Sequence, residues 1–318
     1  MPQQPTTTPR PDLQRAMQQV LTQGTDEFIA PIVSPALPVN RKGDVFGVLG
    51  AEALLSMGDD RKAPRSKSAR GDYELTTDQY ACVSRSWEEV VDDEEVSEFG
   101  TAFNMERIAT DRATGVILRG HEYRVAHQIF NETNFTPHAA VADWDTLASA
   151  DPLVDVSAGK VAMRIIKPNA LIISYDTFLN LGLTDAVIER IKHVDSNVKR
   201  GEISTGHLAS YFGVERVLVG SGVYNSAPKG ETAISANIWS NDYAMLCRIA
   251  PGVSRDMMVP CIARTMVWTE RAGSGQLCGV SSYREEASEG TIIKVVTALD
   301  EKLMCDKDLA GYLIKIAA

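Results

Sequence analysis

Gly220, Ser221 and Gly222 follow the apolar run Val217 to Val219, and they come as near as this sequence gets to a phosphate-cradling turn. A dinucleotide site needs a third glycine and a helix N-terminus behind the pair. Here VYNSAPKGE follows, with a proline and no helical pattern, and no Gly-Lys-Ser/Thr phosphate loop occurs anywhere. Gly43, Gly47 and Gly50 have the wrong spacing. His121, His127, His138, His193 and His207 are scattered, none within His-Glu-x-x-His, and no two cysteines form Cys-x-x-Cys, so the patterns that bind zinc are missing. Asp143 and Asp145 flank Trp144 in a turn-rich stretch. Carboxylates in that setting cap backbone N–H groups more readily than they hold a cation or act as an acid/base pair. There is no Gly-x-Ser-x-Gly nucleophile elbow. Arg70-Gly71-Asp72 spells an adhesion tripeptide, which three residues do often by chance. The expectation is a protein with no catalytic residue, no cofactor and no metal, and therefore not an enzyme.

The residue clusters that do stand out are charged. Arg61, Lys62, Arg65, Lys67 and Arg70 form a basic run with no acid among them. Glu88, Glu89, Asp92, Asp93, Glu94, Glu95 and Glu98 form an acidic run with no base. Solvated loops account for either run alone. Together they suit contact across a subunit boundary, where opposite patches set register and association rate more than affinity.

The elements that would carry these runs follow from periodicity. Residues 44–88 read as a long β-hairpin. A strand at Asp44 to Leu49, or a short helix at Ala51 to Met57, leads into the polar tip GDDRKAPRSKSARGDY, and a return strand rich in β-formers spans Gln79 to Val91. Asn104 to Asn134 contains no proline and reads as one helix about 46 Å long. Met105, Ala109, Val116, Gly120, Tyr123, His127 and Phe130 share one stripe at about 100° per residue, with Ile108, Ile117, Ala126 and Ile129 beside it. The acids upstream suit the positive end of its dipole. Gly115 and Gly120 suggest close packing of another backbone, or a bend.

Elsewhere, Leu13, Ala16, Met17, Val20 and Leu21 mark a short helix closed by Gly24, either docked on its own domain or reaching a neighbour. Pro31 to Pro38 is extended. After the WDTLASADPLVDV bridge, a helix is expected through Val154, Ala158, Val161 and Ile165, then a strand at Ala170 to Ser174. Helices at Asp176 to Leu181, Asp185 to Lys192 and His207 to Phe212 follow, with Ser204 or Thr205 as a cap and Gly213 as the stop. Strands are expected at Arg216 to Val219, Ala233 to Trp239, Tyr243 to Ile249, Cys261 to Trp268, Thr291 to Ala298 and Leu309 to Ala317.

The chain has 318 residues, 44% of them hydrophobic, enough for about two domains with real cores. A net charge of −10 argues against gripping nucleic acid over the whole surface. No apolar run is long enough to span a bilayer, so no membrane partner is expected. The start MPQQPTTTPRP has no apolar signal core. Five widely spread cysteines fit reduced, buried thiols rather than a disulfide framework.

The order of parts resembles the major capsid proteins of tailed bacteriophages. The segments that carry the likeness are GDDRKAPRSKSARGDYE, YACVSRSWEEVVDDEEV, the helix with GHEYRVAHQIFN, WDTLASADPLVDV, NALIISYDTFLNL, IWSNDYAMLCRIAPG and RTMVWTE, across residues 40–318. The resemblance implies an α+β, Hong Kong 97-type fold. Its parts would be an N-terminal arm (1–43), an extended loop (44–88), a peripheral domain (89–150 and 255–305) and an axial domain (151–254 and 306–318). It implies a shell of hexamers and pentamers around packaged double-stranded DNA, located in the virion and assembled in the host cytoplasm. Scaffolding and portal proteins would be partners, a decoration protein a further one, and DNA contact weak and non-specific. Lys62 and Lys67 lie on the loop that some relatives crosslink, but crosslinking is not expected here. Two other readings share the sequence: an encapsulin-like compartment and, from another class, a cytoplasmic α/β enzyme.

Overall fold

The computed structural model describes residues 8–23, 27–48, 55, 57, 61–62, 65, 67–68, 76–99, 103–194, 202–252, 259–272 and 277–317. Strand β1 (Thr8–Pro9) leads into helix α1 (Pro11–Gln23), with Pro11 in the first turn where a missing N–H costs nothing. Leu13 and Met17, one turn apart, are buried. They pack with Ala109, Ala113 and Ile117 of the chain's own long helix, so this segment docks on its own body. Arg10 fixes the entry by bonding both Asp12 and Glu106. Next come α2 (Ala30–Val33), β2 (Ala36–Val39), β3 (Gly43–Val48), β4 (Thr76–Ala81), β5 (Val83–Asp92) and α3 (Asp93–Phe99).

The long helix α4 spans Met105–Ile129, about 38 Å. Asn104 caps it, its side chain accepting the Arg107 N–H at 3.0 Å. It ends five residues before Asn134. Asn131 and Asn134 there bond the local backbone, at Thr133 N and Gln128 O, and draw the chain into a turn. Its buried face also differs from the expected stripe. Ala109, Ala113, Ile117, Leu118, Val125, Ala126 and Ile129 are buried together with Thr110, Thr114, His121 and Glu122, whereas Ile108 and Tyr123 are exposed. The polar members are what hide this face from a hydrophobicity pattern. Thr110 and Thr114 bond back to the carbonyls of Glu106 and Thr110, and His121 and Glu122 find buried partners described below. Gly115 has nothing within 4 Å of a Cβ and Gly120 meets only the Arg124 side chain, so neither serves close backbone packing.

Beyond α4 the chain runs through β6 (Pro137–Ala139), α5 (Pro152–Ala162), β7 (Ala170–Ser174), α6 (Tyr175–Leu181), α7 (Asp185–Val194), α8 (Thr205–Phe212), β8 (Arg216–Gly220), β9 (Val223–Asn225), β10 (Ser235–Asn237) and β11 (Tyr243–Cys247). Last come β12 (Ala263–Trp268), α9 (Thr269–Ala272), β13 (Gly279–Glu285), β14 (Gly290–Leu303) and β15 (Gly311–Lys315). Ser204 caps α8 through a reciprocal bond with His207, and Gly213 closes it in the left-handed region at φ 61°.

Two sheets organise these elements. A six-stranded sheet is built on β14. β5 lies antiparallel along one edge of β14, while β13 and β12 pair with it in succession on the other. β1 extends from β13, and β2 runs parallel to β12. Ile293, Val295, Val91 and Val280 of this sheet pack on α1 and α4. The second sheet has the order β6-β15-β11-β7-β8. Leu171, Ile173, Ala244, Leu246 and Ile314 on one face meet the layer of α5, α6, α7 and α8. Ala170, Ile172, Met245, Cys247 and Leu313 on the other face meet Ile29, Val33 and the last turns of α4. The long helix therefore packs on one sheet with its first half and on the other with its end.

Helix α5 is turned over from its expected orientation. Its inward residues are Pro152, Asp155, Val156 and Gly159, while Val154 and Val161 are 50% and 60% exposed. Asp155 tolerates burial because it accepts from Trp144 Nε1 at 2.8 Å and Val141 N at 3.0 Å.

Candidate assembly surfaces

The base of the hairpin is anchored firmly. β3 and β4 pair antiparallel from Gly43 opposite Ala81 to Val48 opposite Thr76. Phe46 and Tyr80 point inward with Leu37, Val39, Cys82, Cys261, Met266 and Met304. Asp300 accepts the Ala81 N–H at 2.9 Å. Of the basic tip, Arg61, Lys62, Arg65 and Lys67 are exposed, Arg65 at φ 66°, and Arg70 lies outside the described residues. Among the described residues, Lys62, Arg65 and Lys67 form no ion pair with the acidic run.

That run divides in two. Glu88 on β5 bonds Lys294 Nζ at 2.6 Å and Tyr283 Oη at 3.2 Å. Glu89 accepts from Trp87 Nε1 at 2.9 Å, with Arg112 at 3.8 Å. Asp93 takes both arms of Arg284, and that hydrogen bonding holds its carboxyl below the usual range. Asp92 accepts the Glu94 N–H at 2.8 Å and starts α3. Glu94, Glu95 and Glu98 stand exposed on α3, without an ion-pair partner among the described residues. The own-chain bases Lys294, Arg284 and Arg112 escaped the sequence reading because strand register brings Lys294 opposite Glu88, and register is not written in composition.

A buried polar hub was likewise missed. Glu122, fully buried on α4, accepts the N–H groups of Ile29 and Ala30 at 3.1 and 2.6 Å, and the Trp239 indole N–H. One turn along, Glu301 of β14 accepts from Arg124 Nε at 2.9 Å and lies 2.9 Å from His121 Nδ1. Burial pushes the Glu301 carboxyl up, but His121 and Arg124 outweigh it and leave it below the ordinary value. The hub ties the N-terminal segment, the long helix, the first sheet and the turn before β11 together.

It also explains the glycine pair that opened the search for chemistry. A Cβ on Gly220 would lie 2.2 Å from the Trp239 ring, and one on Gly222 would meet Ile238 at 3.2 Å. Gly220 makes room for an indole and Gly222 for the Ile238 side chain, not for a phosphate. Asp145 accepts from Asn180 Nδ2 at 2.8 Å, and the Asp143 carbonyl closes a turn with Thr146. Cys82, Cys247, Cys261 and Cys278 are buried free thiols, and burial lifts Cys82 to about 11 and Cys278 to about 12. Such thiols are poor nucleophiles at neutral pH. Among the described residues no His/Cys/Asp/Glu group could hold a metal ion, and no helix is long and apolar enough to cross a membrane.

A paired β3–β4 ladder, a long helix across a β-sheet, and a second sheet layered with helices make up an α+β fold of the phage-capsid type. Comparison with solved structures shows this to be the Hong Kong 97-type fold. A phage-related protein from Bordetella bronchiseptica RB50 aligns with a TM-score of 0.72 at 19% identity, over 98% of each chain. The capsid structure of the cyanophage P-SCSP1u aligns at 0.59 and 12% identity, over 92% of this chain and 89% of that one. A virus-like particle from Pyrococcus furiosus aligns at 0.56 and 11% identity, over 96% and 98%. At these identities the likeness is one of fold. No family model and no curated protein matches the sequence.

Proposed function

We propose that this chain is a major capsid protein, which self-assembles into the icosahedral head shell around packaged double-stranded DNA. The observation that carries the reading is the fold, matched over nearly the whole length of a phage-related protein and of a cyanophage capsid subunit. Within it, residues 1–43 act as the arm and 44–88 as the extended loop. Residues 89–150 with 255–305 form the peripheral domain, and 151–254 with 306–318 the axial domain. The chain's role is structural, with itself as principal partner in hexamers and pentamers, and a scaffolding protein, portal and decoration protein as further partners. Arg61, Lys62, Arg65, Lys67 and Arg70 reach a neighbouring subunit, and the exposed acids Glu94 and Glu95, with Glu88, Glu89, Asp92 and Asp93 behind them, form the receiving patch.

The test is Arg65→Glu with Lys67→Glu, in full-length protein produced with its scaffold. The variant should keep the wild-type circular dichroism and melting temperature while the yield of closed shells in electron micrographs falls at least tenfold. Normal shells would remove the loop's assigned role. Failure of the wild-type chain to form any particle would remove the capsid reading itself. The match to a virus-like particle favours a second reading, a shell enclosing other cargo. Nucleic-acid absorbance of purified particles separates the two.

A further inference from the structure

Helix α5 carries apolar residues on two faces, and the chain covers only one. Asp155, Val156 and Gly159 turn inward, Gly159 because a Cβ there would lie 2.8 Å from Tyr312 and 2.9 Å from Leu246. Val154, Ala158 and Val161 form a second stripe at i, i+4 and i+7, exposed to solvent. Helix α6 shows the same feature. Tyr175 and Leu179, one turn apart, are each 47% exposed, and Leu183 beyond the helix end is 37% exposed. A lone exposed valine needs no explanation; two such stripes on helices of one layer do.

The C-terminal end of α5 and the surroundings of α6 have opposite charge, and exposed Asp151 stands at the N-terminal end of α5. Past the end of α5 stand exposed Arg164 and Lys167. In the first turn of α6 stands exposed Asp176, held by Asn237 and Asn241, and beside the helix stands Asp145, held by Asn180. The stripes also sit over different strands, α5 against β11 and β15, α6 against β7 and β8.

We infer that the α5 stripe of one subunit docks on the α6 stripe of a second copy of this chain, head to tail around a ring. This inference rests on the shell-forming reading and assigns it an interface. Two unlike faces on one chain make a heterologous contact, and such contacts close into rings when the rotation allows. Apolar stripes give the contact its centre; Arg164 and Lys167 facing Asp176 and Asp145 fix which face meets which.

The experiment compares the full-length wild type with Val154→Asp/Val161→Asp and with Tyr175→Asp/Leu179→Asp, by sedimentation velocity and negative-stain microscopy. Each variant alone should keep its melting temperature and lose rings and shells at least tenfold. Mixed in equal amounts, the two should form a discrete dimer and no ring, because only one intact pair of faces remains. Several outcomes would overturn the inference: wild-type assembly by either variant, dimers formed by the α6 variant alone, or a mixture that stays monomeric. A wild type that forms no particle would instead sink the shell reading beneath it. Should a variant misfold, hydrogen exchange on the wild type decides. Amides of α5 and α6 should exchange at least tenfold more slowly in shells than in dissociated subunits, and unchanged rates would count against the contact.

Discussion

Glu301 is nearly buried, and it stays charged because two cationic or donor groups converge on one of its oxygens. Removing that charge leaves Arg124 and His121 facing each other. Breaking a buried pair costs about 3–5 kcal/mol, and somewhat less here because a quarter of the Arg124 side chain keeps water. Glu301→Gln should therefore cost about 2–4 kcal/mol at pH 7. The folded-state value of this carboxyl is depressed, so its contribution is complete above the unfolded value of about 4.3 and is lost as pH falls through the folded one. The melting-temperature gap between wild type and Glu301→Gln should be widest at neutral pH and shrink as pH falls below about 4.3 and through the depressed folded-state value. A gap of constant size would mean that Glu301 is not ionised in the native protein. Glu122 beside it is held differently. Its three donors are two backbone N–H groups and an indole, so it is tied by geometry rather than by an opposite charge.

At the scale of the helix, the glycines of α4 and α5 separate two uses of the same residue. Gly115 sits mid-helix with open space where a Cβ would go, so alanine there should stabilise by about 0.5–1 kcal/mol through backbone entropy. Gly159 sits against Tyr312 and the fully buried Leu246, and the same change should overpack the helix–sheet contact by about 1–3 kcal/mol. Urea midpoints of the two variants should move in opposite directions; a shift of the same sign would show that these contacts do not govern the cost. The contrast also marks what the sequence could show. Helix ends written as Ser204, Gly213, Asn104 and Pro11 were legible, and so were strands such as Ala170–Ser174, because caps and β-branched runs act locally. The inward faces of α4 and α5 were not. Each hides a carboxylate whose partners lie outside the helix, Trp239 far along the chain for Glu122 and Trp144 nearby for Asp155, so apolar periodicity pointed elsewhere. Strand β13 went unseen because Ser281, Ser282 and Arg284 break the apolar pattern, and β14 supplies the pairing that makes it a strand. At the assembly surfaces the two charged runs could be read, but the division of the acids into paired and open groups depended on register.

For the whole molecule, two electrostatic effects of opposite sign act on association. A net charge of −10 makes subunits repel at long range. In the capsid reading the basic tip, whose Lys62, Arg65 and Lys67 have no ion-pair partner among the described residues, attracts the exposed acids of α3 on a neighbouring subunit only at short range. Salt removes the first effect sooner, since the Debye length falls from about 30 Å at 0.01 M to about 10 Å at 0.1 M and about 3 Å at 1 M. In the capsid reading, the initial rate of shell formation should therefore rise between about 0.01 and 0.1 M salt as net repulsion is screened. It should fall again towards about 1 M, where even close pairs at the loop tip are weakened. Light scattering during assembly would trace this maximum. Arg65→Glu with Lys67→Glu deepens the net charge and removes the attraction, so its slow residual assembly should only accelerate with salt. A wild-type rate that rises without limit would mean that the basic tip plays no part in bringing subunits together, and that apolar contact alone drives the shell.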